Sequence, residues 1–502
     1  MERVALRWLV VMAIAACGAG PSSSSTASSL TGGSGGCLSP LSFGAVVNDG
    51  LDDRAAVQAA LDASCTLRRS VCLPAGDLHI ARRFGTGADN AWSLGLTCDG
   101  ITVEGEGDVS RLVMIGSAKV GAMTGPGDWW LFKLSGSNHT LRNFAIDGAT
   151  RSMPTSEQTH LIKLLGPARG MTLEGLRLNL PDMGSGTGGD CIQAGGEERA
   201  PVVGVVIDRV RADACDRSFV GLQRFVSDVT IDKSRSLIVG DQALDMEPTG
   251  VGNITHVRVR NSSFYRNGMG DGIAISLAGS VGGAPPGGPF LIESTIVDGS
   301  IHIYDSAGVT LRDLQVVSSG TQPVLNVRKR SDDLLVDHVH LEHVGTQTAH
   351  VVSLGAQTGQ YPHNVTIRDS RIVQRTDGSL VYAEPIVGLL VESNQLVCGG
   401  PTSGLWSAIQ ARSVGAAIDD IRVVGNVASG NCRQLLRASA TAGFGIGATA
   451  VSGNSIRGGV TGVWFENGTP TIRPVVDGNT FDGVLSAAYV VGAGTAGWTG
   501  SN

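Results

Sequence analysis

The sequence predicts an all-β chain wound as one parallel β-helix of about 12–13 coils, with a short helix capping its N-terminal end. Three observations predict it. Short apolar runs alternate with period two and are broken by Gly, Asp and Asn, which is strand rather than helix patterning. The same phrase recurs down the chain, with its third apolar residue at Val103, Leu141, Leu173, Ile207, Ile231, Val259, Ile292, Leu311, Val336, Ile367, Val391, Val423 and Val451. Most intervals run from about 24 to 34 residues, the first is about 38, and one is only about 19. A repeat of that length built only from strands is one turn of a solenoid. Finally, aromatic residues make up only 5% of the 502, which suits a narrow core of stacked Val, Ile, Leu and Ala.

Residues 1–17 place Arg3 and Arg7 before an apolar run too short to span a bilayer, a signal-peptide pattern. Ile14-Ala15-Ala16-Cys17 resembles a bacterial lipobox, which makes Cys17 the expected lipidation site. Residues 18–38 are rich in Gly and Ser and read as a flexible tether between that anchor and the folded body. The expectation is an exported protein, either an outer-membrane or cell-surface lipoprotein or a secreted or periplasmic one. The membrane is a partner only through the lipid.

The body is expected over 39–490, followed by a disordered Gly-rich tail at 491–502. It opens with a helix: Asp52 is its expected N-cap, and Ala56, Val57, Ala60 and Leu61 share a face. Val71-Cys72 then reads as the first strand, and Leu73-Pro74-Ala75-Gly76 as its end and turn. A helix here covers the open end of the solenoid.

Phe43-Gly44-Ala45, Asp49-Gly50, Asp52-Asp53, the Ala/Gln-rich helix and Leu73-Pro74-Ala75-Gly76 together resemble the N-terminal signature of the pectate-lyase-like superfamily. That resemblance implies a right-handed coil. Arg54 stands where the signature usually has Thr. The superfamily includes polysaccharide lyases, glycoside hydrolases, uronate epimerases and phage tailspikes, so the fold alone does not choose a reaction. The Asn-x-Asp, Asp-Asp and Arg-Ile-Lys set of polygalacturonases is missing from the sequence.

Nine cysteines leave an even eight beside Cys17, which fits disulfides in an oxidising compartment. Cys191/Cys215 and Cys398/Cys432 lie one coil apart; Cys65 and Cys72 flank a short loop, leaving Cys37 and Cys98. A net charge of −7 without a basic stripe argues against nucleic acid as a partner.

Candidate chemistry lies where the third strands stack. The outward pairs expected there are Cys191/Gln193, Gly221/Gln223, Asp245/Glu247, Ala274/Ser276, His302/Tyr304 and Asn326/Arg328. Asp245 and Glu247, two apart on one strand, are about 6.5–7 Å apart at Cα. That is the edge of the ~6.5–9.5 Å window of inverting glycosidases. The favoured expectation is therefore hydrolysis of a polysaccharide by paired carboxylates, with Asp245, Glu247, Asp271, His302 and Tyr304 as catalytic candidates. Gln193, Gln223, Arg224 and Arg328 are substrate-binding candidates, with Trp129 and Trp130 as a sugar platform.

Hydrolysis needs no cofactor. A lyase or epimerase is the alternative, and it would place Ca²⁺ on Asp190 and Asp241. A non-catalytic surface protein that binds glycan, or that assembles into a homo-oligomer through its coil ends, is the third reading. Asp190 and Asp271 are also typical turn formers, and Asp245/Glu247 also suit a solvated face. His338 and His340 share a face with metal-ligating nitrogens, with His343 close by, but read as a wet turn.

Overall fold

The computed structural model describes residues 36–81, 92–115, 129–148, 159–181, 189–250, 252–265, 272–280, 286–345, 348–355, 359–399, 406–440, 444–466, 474–484 and 487–491. Asp271 and Cys17 fall outside these residues, as do the expected tail from 492 onward and most of the signal and tether segment. The described body is a right-handed parallel β-solenoid of about 12 turns with a single helix near its N-terminus.

Every recurring apolar residue noted in the sequence stacks on its counterpart. Val103 pairs with Leu141, Leu141 with Leu173, Leu173 with Ile207, and the column runs on in register through Val451 to Val476. The side chains in this column are buried and belong to one continuous apolar core. Two residues after the stacked position the chain turns through the left-handed region, at Asn143, Arg209, Lys233, Asn261, Ser294, Asp313, His338, Asp369 and Ser393, and at Gly175, Gly425, Gly453 and Gly478. Asn, Asp and Gly tolerate that conformation locally. For Arg209, Lys233 and His338 it costs about 1–2 kcal/mol each, a cost offset by the strand pairing on either side.

The turn that follows is buried and carries its own ladder. The backbone N–H of Asn394 donates to Asn426 Oδ1 at 2.9 Å, that of Asn426 to Asn454 at 2.8 Å, and that of Asn454 to Asn479 at 3.0 Å. Each amide side chain also donates to the next, at 2.9 Å. Ser234, Ser262 and Thr295 make the equivalent contacts earlier in the chain. A bend that is closed to water is thereby satisfied by its own repeats.

The helix spans Arg54–Leu67 and buries Val57, Ala60, Leu61 and Ser64 against the first coil. Gln58 fastens it, exchanging two hydrogen bonds with the backbone of Gly95. Its N-cap is Asp53 rather than Asp52. The Asp52 carboxylate instead accepts from the N–H groups of Arg54 and Ala81, and Asp53 accepts from those of Val46 and His79. The acid pair ties the cap to the first strands.

Four disulfides fit an exported protein. Cys191–Cys215 and Cys398–Cys432 bridge adjacent coils, as the spacing suggested. The N-terminal four pair as Cys37–Cys72 and Cys65–Cys98. Cys65 and Cys72 are therefore not partners: Cys65 lies in the last turn of the helix and bonds Cys98, while Cys72 lies in the first strand, where its N–H donates to the Leu38 carbonyl. Among the described residues no helix is long and apolar enough to cross a membrane.

Candidate active site

The third strands stack into two parallel columns on the outer face. One runs Lys163, Gln193, Gly221, Asp245, Ser276, His302, Asn326, Ser353, Tyr382, Gln410. Its neighbour, two residues further along each strand, includes Gly195, Gln223, Glu247, Ala278, Tyr304, Arg328, Gly355 and Glu384. Two expected rungs are displaced by two residues. Gln193, not Cys191, lies beside Gly221, and Ser276 rather than Ala274 lies beside Asp245. At the second, Ala274 is buried in the core, and the pairing with the following coil shifts register between Ile273 and Ile275.

Asp245 and Glu247 are brought together by a residue that the sequence reading did not single out. Arg217 Nη2 donates to Asp245 Oδ2 at 2.9 Å and to Glu247 Oε2 at 2.5 Å. Its Nε lies 3.8 Å from Asp241 Oδ2. Arg217 stands in the turn after Cys215, one coil below, and its side chain is nearly buried. Two acceptors on one nitrogen cannot be further apart than the two bond lengths together. Those two oxygens are thus close enough for the ~5–5.5 Å spacing of retaining glycosidases.

Asp190 completes the group. Its carboxylate fills the space where Gly221 has no side chain, and accepts from Gln193 Nε2 at 3.1 Å. Its N–H donates to His160 Nδ1 at 2.9 Å, which leaves the ring proton of a neutral His160 on Nε2. Burial holds His160 well below the usual imidazole range, with Lys163 and Arg217 adding to the effect.

The acids respond to the same burial. Asp245 is pushed up to about 8, first by desolvation and then by Glu247, against the opposing pull of Arg217. Asp190 is pushed up to about 6 by desolvation, offset in part by Arg217 and Gln193. Burial alone would lower Arg217, but Asp190, Asp245 and Glu247 more than offset it and hold the guanidinium charged. At neutral pH the arrangement offers a protonated carboxyl at Asp245 beside Glu247, whose side chain is 50% exposed against 5% for Asp245.

The other candidates take varied places. His302 and Tyr304 are hydrogen-bonded to each other at 2.8 Å, two rungs from Asp245 and Glu247 across the small Ser276/Ala278 rung. Gln193 is buried against Asp190. Gln223 borders Gly195, and Arg224 is exposed in the turn beyond. Trp130 is buried, with Lys163 over its ring at 5.5 Å. Trp129 begins the same strand, and its side chain lies outside the described residues.

Asp190 and Asp241 both face the Arg217 guanidinium. Among the described residues the groups with metal-ligand spacing are Asp49/Asp53/His79 and Asp337/His338/Asp369. The first has Asp53 bonded to backbone amides, and the second has Asp337 bridged twice by Arg368. His340 pairs with Glu342, and His343 is buried against Gln374 and the Gly320 carbonyl.

Neither a family model nor a curated protein matches the chain in sequence. Solved structures resemble it. The tailspike protein gp49 from Pseudomonas phage LKA1 aligns at a TM-score of 0.50 and 11% identity, over 86% of this chain and 83% of that one. PfbA, a surface adhesin of Streptococcus pneumoniae, aligns at 0.44 and 13%, over 93% and 97%. At these identities the likeness is one of fold.

Proposed function

We propose that this is an exported polysaccharide-processing β-helix that cleaves glycosidic bonds by double displacement. The observation that carries the reading is the single Arg217 nitrogen shared by Asp245 and Glu247. Asp245, protonated near neutral pH, donates to the leaving oxygen; Glu247, the more exposed partner, attacks the anomeric carbon. Deprotonated Asp245 then activates water to release the sugar. Arg217 supplies the positive charge among the carboxylates, so the cycle calls for no metal. Lipidation at Cys17 would keep this activity at the cell surface.

The test is a screen of plant, algal and bacterial polysaccharides for new reducing ends and for the ultraviolet absorbance of unsaturated uronates. Reducing ends without absorbance, with the anomeric configuration retained, support the reading. Asp245→Asn and Glu247→Gln should each lower turnover by roughly 10²–10⁴ in a folded protein. Unchanged turnover in both would remove them from the mechanism. One observation favours elimination or epimerisation as a second reading: the hydrogen-bonded His302–Tyr304 pair could take and return a C5 proton. Absorbance accompanying each cut would point to a lyase. Binding without any cleavage would leave a glycan-binding protein.

A further inference from the structure

Toward the C-terminal end the outer face changes character. Past Asn326/Arg328 comes a second rung of small residues, Ser353 and Gly355, followed by Tyr382 and Glu384. This rung is three steps from Ser276/Ala278, on the order of 14 Å at one strand spacing per coil. A β-carbon on Gly355 would meet only Arg328, with Nη1 at 3.9 Å and Cζ at 4.0 Å. The rung is thus a pit one coil wide, with Arg328 on one side and Tyr382 and Glu384 on the other.

The walls are held in place. Arg328 Nε donates to Asn326 Oδ1 at 3.0 Å, which fixes the guanidinium, and no carboxylate among the described residues pairs with it. Tyr382 is locked by the His350 ring stacked on it at 4.2 Å and nearly parallel, with Trp406 edge-on to His350 at 5.6 Å. The Tyr382 hydroxyl donates to Glu384 and accepts from Arg412 Nη1 at 2.9 Å. Beyond the pit, Arg433 and Arg437 lie over Trp464 at 5.8 and 5.5 Å. From Arg328 to Glu466 the described face carries Arg328, Arg412, Arg433 and Arg437 against Glu384 and Glu466. In a chain of net charge −7 this is a local excess of cations, at the opposite end of the face from Asp190, Asp241, Asp245 and Glu247.

We propose that the Ser353/Gly355 pit binds an acidic sugar unit, carboxylated or sulfated, of the same polymer whose neighbouring units reach Asp245 and Glu247. The free fork of Arg328 meets the acidic group, while Tyr382, Glu384 and Arg412 present a fixed set of donors and acceptors to ring hydroxyls. The proposal rests on the polysaccharide reading above but not on the chemistry assigned to the acids.

The test is calorimetric binding of polygalacturonate, dextran sulfate and neutral dextran to the full chain carrying Glu247→Gln. At least one acidic polymer should bind more tightly than dextran, and which one does so distinguishes carboxylate from sulfate. Arg328→Gln and Gly355→Phe should each weaken that binding at least tenfold. Gly355 has ordinary strand geometry, so the bulky variant should melt with the parent. Neutral dextran binding as well as both acidic polymers would overturn the proposal. So would binding indifferent to Gly355→Phe in a variant that melts normally. Cleavage of a polymer with either result would sink this subsite alone; tight acidic binding with no cleavage of any polymer would sink the hydrolase reading alone.

Discussion

The carboxylate of Asp190 sits where a side chain on Gly221 would have to go, so a residue from one coil completes the acid row of the next. Gly221→Ala should therefore push Asp190 off Gln193 and toward Asp245. The expected result is a loss of about 1–3 kcal/mol from overpacking, read as a lower melting temperature. Any glycan cleavage should fall with it. A parental melting curve and unchanged turnover would show that Asp190 has room to spare.

Arg217 compensates several acids at once, and two of them are buried. Replacing it with Met should destabilise the fold by roughly 3–5 kcal/mol, because those charges lose their only close guanidinium among the described residues. Above about pH 8, where Asp245 is otherwise ionised, adding Asp245→Asn should recover part of that loss, since one buried acid is then neutral. A double-mutant cycle in urea measures the coupling, and strictly additive effects would contradict the shared contact.

The pH response follows from Asp245. Its folded value of about 8 lies above the ~3.9 of an unfolded chain. The folded state therefore holds more protons between those limits, and stability from this group falls as pH rises from about 4 to about 8. Asp245→Asn should flatten that slope. Activity that needs the proton should decline above about pH 8. A rate that climbs through that region would exclude Asp245 as the acid.

Asn426 tests the buried ladder far from the acids. Its amide donates to Val391, Val424 and Asn454, and its oxygen accepts from the backbone and side chain of Asn394. Asn426→Ala leaves several buried groups unmet at about 1–3 kcal/mol each. Thermal melting should drop by several degrees. An unchanged melting temperature would argue that water replaces the side chain.

The coil repeat was legible because one apolar residue per turn must face the core, and all the positions from Val103 to Val451 stack as the sequence spaced them. The face bearing Asp245, Glu247, His302 and Tyr304 was legible by the same alternation. The register at Ser276 was not, because Ala274 alternates like an outward residue yet lies in the core. Arg217 was not legible either: it stands in a turn, outside the strand alternation, and only the fold carries its side chain up one coil. The N-terminal cysteines had several pairings compatible with their spacing, and the choice depends on how the capping helix docks.

Cys191 directly follows Asp190, and Cys215 stands two residues before Arg217. Their bond staples the segment that carries the innermost acid to the one that carries its counter-charge. While the two thiols stay reduced nothing covalent sets Asp190 against Arg217, and an oxidising compartment adds that staple.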